Sequence, residues 1–490
     1  MSRASMSGST SLSSSINLIN NVIGAGLFSM PWCLAQSTVF TGLALFTAVC
    51  ALNAYSFVLL ARCCTLTGCY SYLEIGKRAL GARFGVLAQA TALLYACGSL
   101  ISYIVLANNF LLGSGTGVLA LAAQGHSEFL VRGEMLARMA VGFAFSALFF
   151  LPLSLLRSLD SLKLTSWLAL AATLYAGFIT VYELAASPES SLTPVEKEAG
   201  REAMHSSVEY VGFPLGSFAA LPIINVAFTA HYNAPRYFLE LSRRSVARFG
   251  AVCASALGVS LAVYASVGVC GYLSFGDLTA GDVLENFADT YPLAVGARGA
   301  LLVVLASCYP KVQHSVRDGL LRLCRGLTTD SAPPKELLGC TLVVVGASTL
   351  IGTLLHQVEV VLAYKGAVFG SLMVYVWPAL MHAALMMQLP GGDGGAGEKP
   401  LLSDDALMLG QPRDVLDEPP HVVVDEPQFL AAAGAAGAAA LNSQEFKPQR
   451  LGAVLCAMLT TSAHLGPALL LIWGVVTGCL GVGVTIHKQL

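Results

Sequence analysis

Long apolar stretches dominate this sequence and limit what it can fold into. Eleven stretches are apolar over roughly 20 residues or more, the length at which a helix crosses about 30 Å of hydrocarbon. Strands of a membrane barrel would alternate polar and apolar residues, and these stretches do not. They lie at approximately 16–36, 41–62, 84–112, 136–155, 163–185, 213–240, 246–274, 290–310, 336–356, 360–389 and 451–486. We therefore predict an all-α polytopic membrane protein with eleven transmembrane helices.

The composition supports a membrane location and argues against other classes. Only 11% of the residues are charged, whereas soluble domains carry about 25%. The net charge of -2 gives no basic field for nucleic acid, and the 13 cysteines are too sparse for a disulfide scaffold. The sequence has no phosphate-binding loop, no close-set Cys/His cluster and no nucleophile elbow. We therefore predict neither an enzyme nor an organic cofactor.

Lys and Arg set the expected orientation, because positively charged loops stay in the cytoplasm. If the N-terminus is cytoplasmic, most of the 27 basic residues fall on the cytoplasmic side. We therefore predict a multi-pass protein with a cytoplasmic N-terminus.

The segments outside the apolar stretches differ in composition. Residues 1–15 are rich in Ser, and we predict a disordered cytoplasmic N-terminus. Residues 16–389 would form a core of ten helices and residues 450–490 the eleventh. Residues 390–449 are rich in Gly, Ala, Pro and acidic side chains, a composition that cannot bury enough apolar surface to fold. We predict a disordered cytoplasmic loop there, either a tether or a regulatory segment for a cytoplasmic partner.

Two of the apolar stretches are interrupted near their middle. The first contains the run Gly24–Gly26, and the sixth contains polar residues and a proline between His231 and Pro235. A helix inside a membrane keeps its backbone groups satisfied, so an interruption matters where the freed groups line a cavity. The alternative is that Gly24 and Gly26 only allow neighbouring helices to pack closely.

The two interruptions lie five stretches apart, so the second broken helix runs opposite to the first. This spacing is expected of a five-plus-five inverted repeat of stretches 1–5 and 6–10, with the eleventh appended. Paired broken helices at matching positions indicate the central site of a secondary transporter. Free N–H groups suit a carboxylate and free carbonyls suit a cation, and an amino acid carries both charges. We predict that an amino acid binds between them.

The residues around both interruptions resemble the amino acid/auxin permease family of the APC superfamily, close to its sodium-coupled neutral amino acid transporter and vacuolar amino acid transporter branches. The resemblance covers about residues 15–390 and 450–485. It rests on the segments 17–31, 227–241, 271–276, Tyr309-Pro310 and Tyr364–Ala367. It implies a LeuT-like fold with discontinuous helices 1 and 6, alternating access and symport.

The resemblance also implies roles for individual residues. Backbone N–H groups in the first interruption would bind the substrate carboxylate, at Gly24, Ala25 and Gly26. The second interruption would supply carbonyls to the amino group and walls to the side chain, at Phe228, Thr229 and Ala230. These mostly small residues, with no buried charge expected beside them, favour neutral substrates.

Two alternatives exist for the coupling ion. Asn20 resembles the asparagine that helps to hold sodium in coupled members, where its partner is a hydroxyl group of the eighth helix. Here Val303 occupies the expected position and the nearest hydroxyl is that of Ser307, so a sodium site would depart from the family pattern. His231 could instead carry a proton, since histidine titrates near physiological pH, or it could be a neutral histidine that is hydrogen-bonded to a freed carbonyl. We expect Lys365 to snorkel to the membrane surface.

We predict a secondary active transporter of neutral amino acids that is coupled to sodium or to protons. The alternative is a non-transporting amino acid sensor that uses the same pocket and signals through residues 390–449. The predicted outer loops contain no Asn-x-Ser/Thr acceptor and no cysteine pair, features that plasma-membrane transporters of this kind often have. We therefore expect the protein in the plasma membrane or in a vacuolar or lysosomal membrane.

Overall fold

The structure is a computed structural model, and it describes residues 10–112, 135–156, 163–186, 189–288, 291–327, 329, 331–388, 454 and 465–489. These residues form helices joined by turns, and the β-type pairing among them is one isolated antiparallel bridge between Leu192 and Phe287. The predicted all-α class is confirmed for this part of the chain. The predicted loop 390–449 lies outside the described residues.

The main helices are numbered here in chain order. They are α1 (Ser11–Val22), α2 (Met30–Ser37), α3 (Val39–Thr67), α4 (Tyr72–Leu80), α5 (Ala82–Leu112), α6 (Met135–Ser154), α7 (Lys163–Ala186), α8 (Ser217–Ala227), α9 (Ala234–Glu240), α10 (Val246–Phe275), α11 (Pro292–Arg325), α12 (Pro334–Leu354), α13 (Val358–Met387) and α14 (Leu465–Gln489). Short π-helical turns interrupt α6 at Ser146–Phe150 and α13 at Lys365–Gly370 and Leu372–Val376. Such turns are frequent at functional sites.

Within the described residues, eight helices are long and apolar enough to cross a membrane, and the bent pair α1 and α2 would make a ninth. The eight are α3, α5, α6, α10, α11, α12, α13 and α14. The fifth and sixth predicted stretches correspond to α7 and to the pair α8 and α9, which are not among the eight. The protein is thus a multi-pass helical membrane protein, whereas the count of eleven spans and the inverted repeat stay predictions.

The eighth predicted helix is longer than expected. The sequence predicts its end near residue 310, but α11 contains Pro310 and continues to Arg325. The helix ends at Gly326, which has a φ of 69° and donates its N–H to the carbonyl of Arg322. A left-handed glycine is a common helix terminator, because it returns the N–H to the last turn without a Cβ clash. The proline was therefore a poor indicator of this helix end.

The broken helices lie between longer ones. The long helix α10 packs against α1, α2, α3 and α7, while α8 packs against α2, α3, α13 and α14. The contact of α10 with α2 is close, because a Cβ at Gly271 would lie 2.5 Å from Cγ of Pro31. Both breaks are therefore surrounded by protein rather than lipid.

The ends of the helices gather at two faces of the bundle. At the first face, Arg248 at the start of α10 donates to the Ser11 hydroxyl at 2.7 Å, and Gln388 donates to the Ala79 carbonyl at 2.8 Å. At the second face, the segments 189–216 and 276–288 are joined by a 2.8 Å hydrogen bond from Asn286 to Glu196. A cytoplasmic N-terminus would make the first face cytoplasmic.

We predict that Gly271→Ala destabilises the fold, because the new methyl group would overlap the rigid ring of Pro31. Overpacking of this kind costs about 1–3 kcal/mol, so the thermal unfolding temperature of the purified protein in detergent should fall. Gly258→Ala is the matched control on α10, since a Cβ there meets nothing within 4 Å. Equal unfolding temperatures for the two variants would contradict the close α2–α10 contact.

Candidate functional site

The first predicted interruption is a real break in the helix. α1 ends at Val22, Ile23 and Gly24 adopt extended backbone angles, and a 3-10 turn spans Ala25–Ser29 before α2 begins. α1 and α2 meet at an angle of 57°. The N–H groups of Gly24, Ala25 and Gly26 have no main-chain acceptor in the described part of the chain. The break thus offers N–H donors inside the bundle.

The second predicted interruption is also a break. α8 ends at Ala227, the residues to Ala230 are not helical, and a 3-10 turn at His231–Asn233 leads into α9. Within the described residues, the carbonyls of Phe228 and Thr229 have no main-chain donor. This break therefore offers acceptors where the first offers donors.

The two breaks touch each other at Gly26. A Cβ on Gly26 would lie 3.1 Å from Cβ and 3.2 Å from Cα of Ala227, which is tighter than ordinary side-chain contact. A Cβ on Gly24 would meet nothing within 4 Å. Gly26 therefore serves close packing, which was the alternative for the glycines, while Gly24 borders open space.

A tyrosine that sequence reasoning missed joins the two breaks. The hydroxyl of Tyr264, on α10, lies 2.7 Å from the Val22 carbonyl and 2.9 Å from the Ala227 carbonyl, the last residues of α1 and α8. Its side chain is fully buried. Because the bilayer supplies no water for freed carbonyls, this hydroxyl stabilises both helix ends. The available signal was a single polar aromatic residue in the middle of an apolar helix.

A second link between the broken helices runs through Tyr232. Its hydroxyl donates to Oδ1 of Asn21 at 2.9 Å, which joins the 3-10 turn of the second break to α1. Its ring centroid lies 6.2 Å from that of Tyr95 on α5, and the Tyr95 hydroxyl lies beside the side chain of Thr229. Tyr95 and Tyr232 therefore border the predicted site from two sides.

Three buried polar side chains form a hydrogen-bonded network, the Asn53–Asn225–Tyr375 network, next to the second break. The Tyr375 hydroxyl donates to Oδ1 of Asn225 at 2.7 Å, and Nδ2 of Asn53 lies 3.1 Å from the Tyr375 oxygen. The three residues belong to α13, α8 and α3. The carbonyl of Asn225 also accepts the Thr229 hydroxyl at 2.6 Å, so the network reaches the break itself.

His231 is enclosed by the bundle. It is fully buried, and its ring stacks on Phe57 of α3 with 3.9 Å between centroids. The backbone of Asn53 lies beside the ring, but neither ring nitrogen makes a hydrogen bond of normal geometry within the described residues. The expected bond to a freed carbonyl is therefore not formed.

The two residues predicted to hold sodium are not joined. The Ser307 hydroxyl donates to the Val303 carbonyl of its own helix at 2.9 Å. No hydrogen bond connects Asn20 with Ser307 among the described residues, and the helices packed most extensively on α11 are α5 and α7 rather than α1. The structure thus brings the two breaks into contact, and the sodium site at Asn20 and Ser307 stays a prediction.

The expectation for Lys365 was wrong. Its side chain does not reach the membrane surface but is only 6% exposed. Nζ donates to the Ser99 hydroxyl at 3.1 Å and lies 4.8 Å from the ring centroid of Tyr95. The residue starts the first π-helical turn of α13, and it faces α5 rather than lipid. This direction could not be predicted, because apolar residues lie on all sides of the helix around Lys365.

A cluster of buried acidic groups covers the first break at the second face. The turn Val283–Asn286 packs against the turn Ala25–Ser29. Asn109 donates to Glu285 at 2.9 Å, and the Glu359 carboxylate lies directly against Gly281, next to Asp282. Burial, together with the nearby carboxylates of Asp282 and Glu359, raises the pKa of Glu285 to about 8. Burial also raises the pKa of Asp282.

Two interrupted helices that meet inside a helical membrane bundle are typical of secondary transporters. Comparison with known proteins identifies the family to which this chain belongs. Residues 7–389 match the family model described as "Transmembrane amino acid transporter protein", so the chain belongs to the family of transmembrane amino acid transporters. This confirms the resemblance to the amino acid/auxin permeases.

Three curated relatives are similar over most of this chain. The "Putative sodium-coupled neutral amino acid transporter 11" of Danio rerio is 25% identical over 379 residues, which are 77% of this chain and 79% of the relative. The "Amino acid transporter AVT6E" of Arabidopsis thaliana is 25% identical over 398 residues, 79% and 78% of the two chains. The human "Solute carrier family 38 member 10" is 27% identical over 377 residues, 75% of this chain but 32% of the longer relative. All three belong to transporter families and none is an enzyme, as predicted.

Among solved structures, a Na+-coupled sialic acid symporter in a substrate-bound outward-open state is similar with a TM-score of 0.42 and 11% sequence identity. The similarity covers 76% of this chain and 77% of that one.

We predict that Tyr264→Phe lowers stability, because two buried carbonyls would lose their donor. An unsatisfied buried group costs about 1–3 kcal/mol, which should appear as a lower thermal unfolding temperature in detergent. Tyr175→Phe is the control, since its hydroxyl makes one 3.3 Å hydrogen bond on an exposed side chain. A Tyr264→Phe variant as stable as the control would rule out the joining role of this hydroxyl.

We also predict that the segment 276–288 at the second face becomes less stable as pH rises. The raised pKa of Glu285 means that the folded state binds this proton more tightly than the unfolded state. The stabilisation is then full below the ordinary carboxyl pKa of about 4.3 and is lost as pH rises through about 8. The protection of residues 276–288 against hydrogen–deuterium exchange, measured relative to the intrinsic exchange rate at each pH, should therefore fall over this range. Glu285→Gln should remove this pH dependence, while the exposed Glu198→Gln should keep it. An unchanged pH dependence in Glu285→Gln would contradict the assignment of this proton to Glu285.

Proposed function

We propose that this protein is a secondary active transporter of neutral amino acids that works by alternating access and is coupled to sodium or protons. The observation that carries the proposal is the meeting of the two breaks, one with free N–H groups and the other with free carbonyls. A zwitterion needs both kinds of partner. The family and the named relatives support an amino acid as the transported molecule.

The proposed site lies between the breaks. The substrate carboxylate would accept hydrogen bonds from Gly24, Ala25 and Gly26, and its ammonium group would donate to Phe228 and Thr229. These contacts involve the backbone, so they suit any amino acid and leave discrimination to the walls of the site.

The walls favour uncharged side chains. The second break contains the small residues Ala227 and Ala230, and the phenol of Tyr95 lies beside Thr229. Asp282 and Glu285, near the first break, belong to the acidic cluster at the second face. Burial favours the neutral form of both carboxyl groups, so they offer a cationic side chain no strong partner. The site is therefore suited to small and medium neutral amino acids.

Sodium and protons remain two candidates for the driving ion. The relative from Danio rerio is named for sodium coupling, which supports Asn20 and Ser307 as ligands. His231 is the proton candidate that the sequence offers, and its buried ring lies directly in the second break. The proposed location is the plasma membrane or a vacuolar or lysosomal membrane, with the N-terminus in the cytoplasm.

Purified protein in proteoliposomes should take up labelled alanine, glutamine and leucine, and Gly26→Val should abolish this uptake. The branched side chain would push against Ala227 and separate the breaks, which destroys the site without unfolding the bundle. Gly258→Val is the matched control, because its position has no neighbour within 4 Å.

Monodisperse but inactive Gly26→Val protein is the expected result. Full uptake by this variant would overturn the site, and binding without flux in the unmodified protein would indicate the sensor instead of a transporter.

A further inference from the structure

Lys365 is an ammonium group without a carboxylate partner in the interior of the bundle. Its stem packs on Gly98 of α5, where a Cβ would lie 2.9 Å from Cδ of the lysine. Its Nζ has the Ser99 hydroxyl at 3.1 Å and the Tyr95 ring at 4.8 Å. Within the described residues, no Asp or Glu forms an ion pair with it. The transport function proposed above gives this group no role.

Burying a charge without a counter-ion costs several kcal/mol. A hydrogen bond to one hydroxyl group and a contact with one aromatic ring offset only part of this cost. Burial penalises the charged form of a lysine, so such a side chain can release a proton that a surface lysine would keep. A merely structural residue at this position would be apolar, as the rest of α13 around it is. The chemistry therefore indicates a group that gains and loses a proton.

The surroundings of Lys365 contain few other titratable groups. α5 presents the phenol of Tyr95, and α8 has no ionisable side chain in Ser217–Ala227. α14 approaches the π-helical turn through Gly478, whose Cβ would lie 2.9 Å from the carbonyl of Ala367. On α13 itself, Tyr375 lies beyond the turn and Glu359 precedes it. Among the described residues in these surroundings, Lys365 is thus the group whose charge can change, and His231 in the second break is the other candidate.

The contacts of Tyr95 connect this charge to both broken helices. The ring that faces the ammonium lies 6.2 Å from the ring of Tyr232, whose hydroxyl holds Asn21 of α1. The hydroxyl of the same Tyr95 lies beside Thr229 in the second break. Loss of the proton removes the attraction between the ammonium and the ring, so it changes the position that Tyr95 prefers. Protonation and the shape of the substrate site are therefore coupled through one side chain.

Protons can be supplied from the second face. Lys365 lies seven residues after the start of α13, a depth of about 10 Å along a helix. The start of α13 carries Glu359 and adjoins Asp282 and Glu285. Because burial keeps Glu285 protonated close to neutral pH, this cluster can pass protons to a group below it.

We propose that Lys365 is the proton-binding residue that couples amino acid transport to a proton gradient; the inference rests on the transport function proposed above. When the site opens to the second face, the neutral amine takes one proton from that side. When it opens to the first face, the ammonium releases the same proton there. No other bond forms or breaks, and one proton crosses with the substrate.

The test compares the unmodified chain with Lys365→Gln and Lys365→Arg in proteoliposomes. A proton gradient is imposed in sodium-free buffer, and a sodium gradient is imposed separately without a proton gradient. The glutamine is always neutral and the arginine always charged, so neither can exchange a proton. Both variants should lose accumulation of labelled alanine driven by an inward proton gradient. Both should keep exchange of labelled for unlabelled alanine without any gradient, since exchange needs no net proton movement. Lys335→Gln, an exposed lysine at the start of α12, is the control and should retain both activities.

The arginine variant keeps the positive charge, so it tests the proposal even if the glutamine variant fails to fold. Proton-driven accumulation that persists in either variant, or accumulation in the unmodified protein that responds to sodium alone, would overturn the assignment of Lys365 and leave the transport function standing. Absence of both uptake and exchange in the unmodified protein would instead remove the proposed function itself.

Discussion

The need to satisfy backbone hydrogen bonds away from water is the constraint on which this structure depends. A membrane offers no solvent to the N–H and C=O groups that a broken helix releases. Two breaks near mid-bundle are therefore tolerated only because other elements enclose them. The Tyr264 hydroxyl lies within hydrogen-bond distance of the last carbonyls of α1 and α8, and the two breaks meet at Gly26 and Ala227. Close packing of α10 on α2 at Gly271 holds that hydroxyl in position.

The breaks could be predicted from the sequence because their causes are local. A glycine pair, or a histidine followed by a proline, is visible wherever it interrupts an apolar stretch. Tyr264 and the Asn53–Asn225–Tyr375 network could not be predicted in this way, because the four residues lie far apart in the sequence, each in a different helix. These residues form their hydrogen bonds only when the folded chain brings those helices together.

The error on Lys365 has a related origin. Position along a helix can be counted in the sequence, and Lys365 lies seven residues, about two turns, after the start of α13. The direction of its side chain around the helix axis could not be obtained, since residues on every side of α13 are apolar and a π-helical turn shifts the register at that point.

The Asn53–Asn225–Tyr375 network also determines which parts of the bundle can move. Its bonds tie α3, α8 and α13 together in a medium where lost hydrogen bonds are not replaced by water. Separating any one of these helices from the other two would leave buried polar atoms without hydrogen-bond partners. We therefore expect the three helices to move together. In the proposed transport cycle, a change of access would then come from the remaining helices turning against these three, with the two short breaks as hinges.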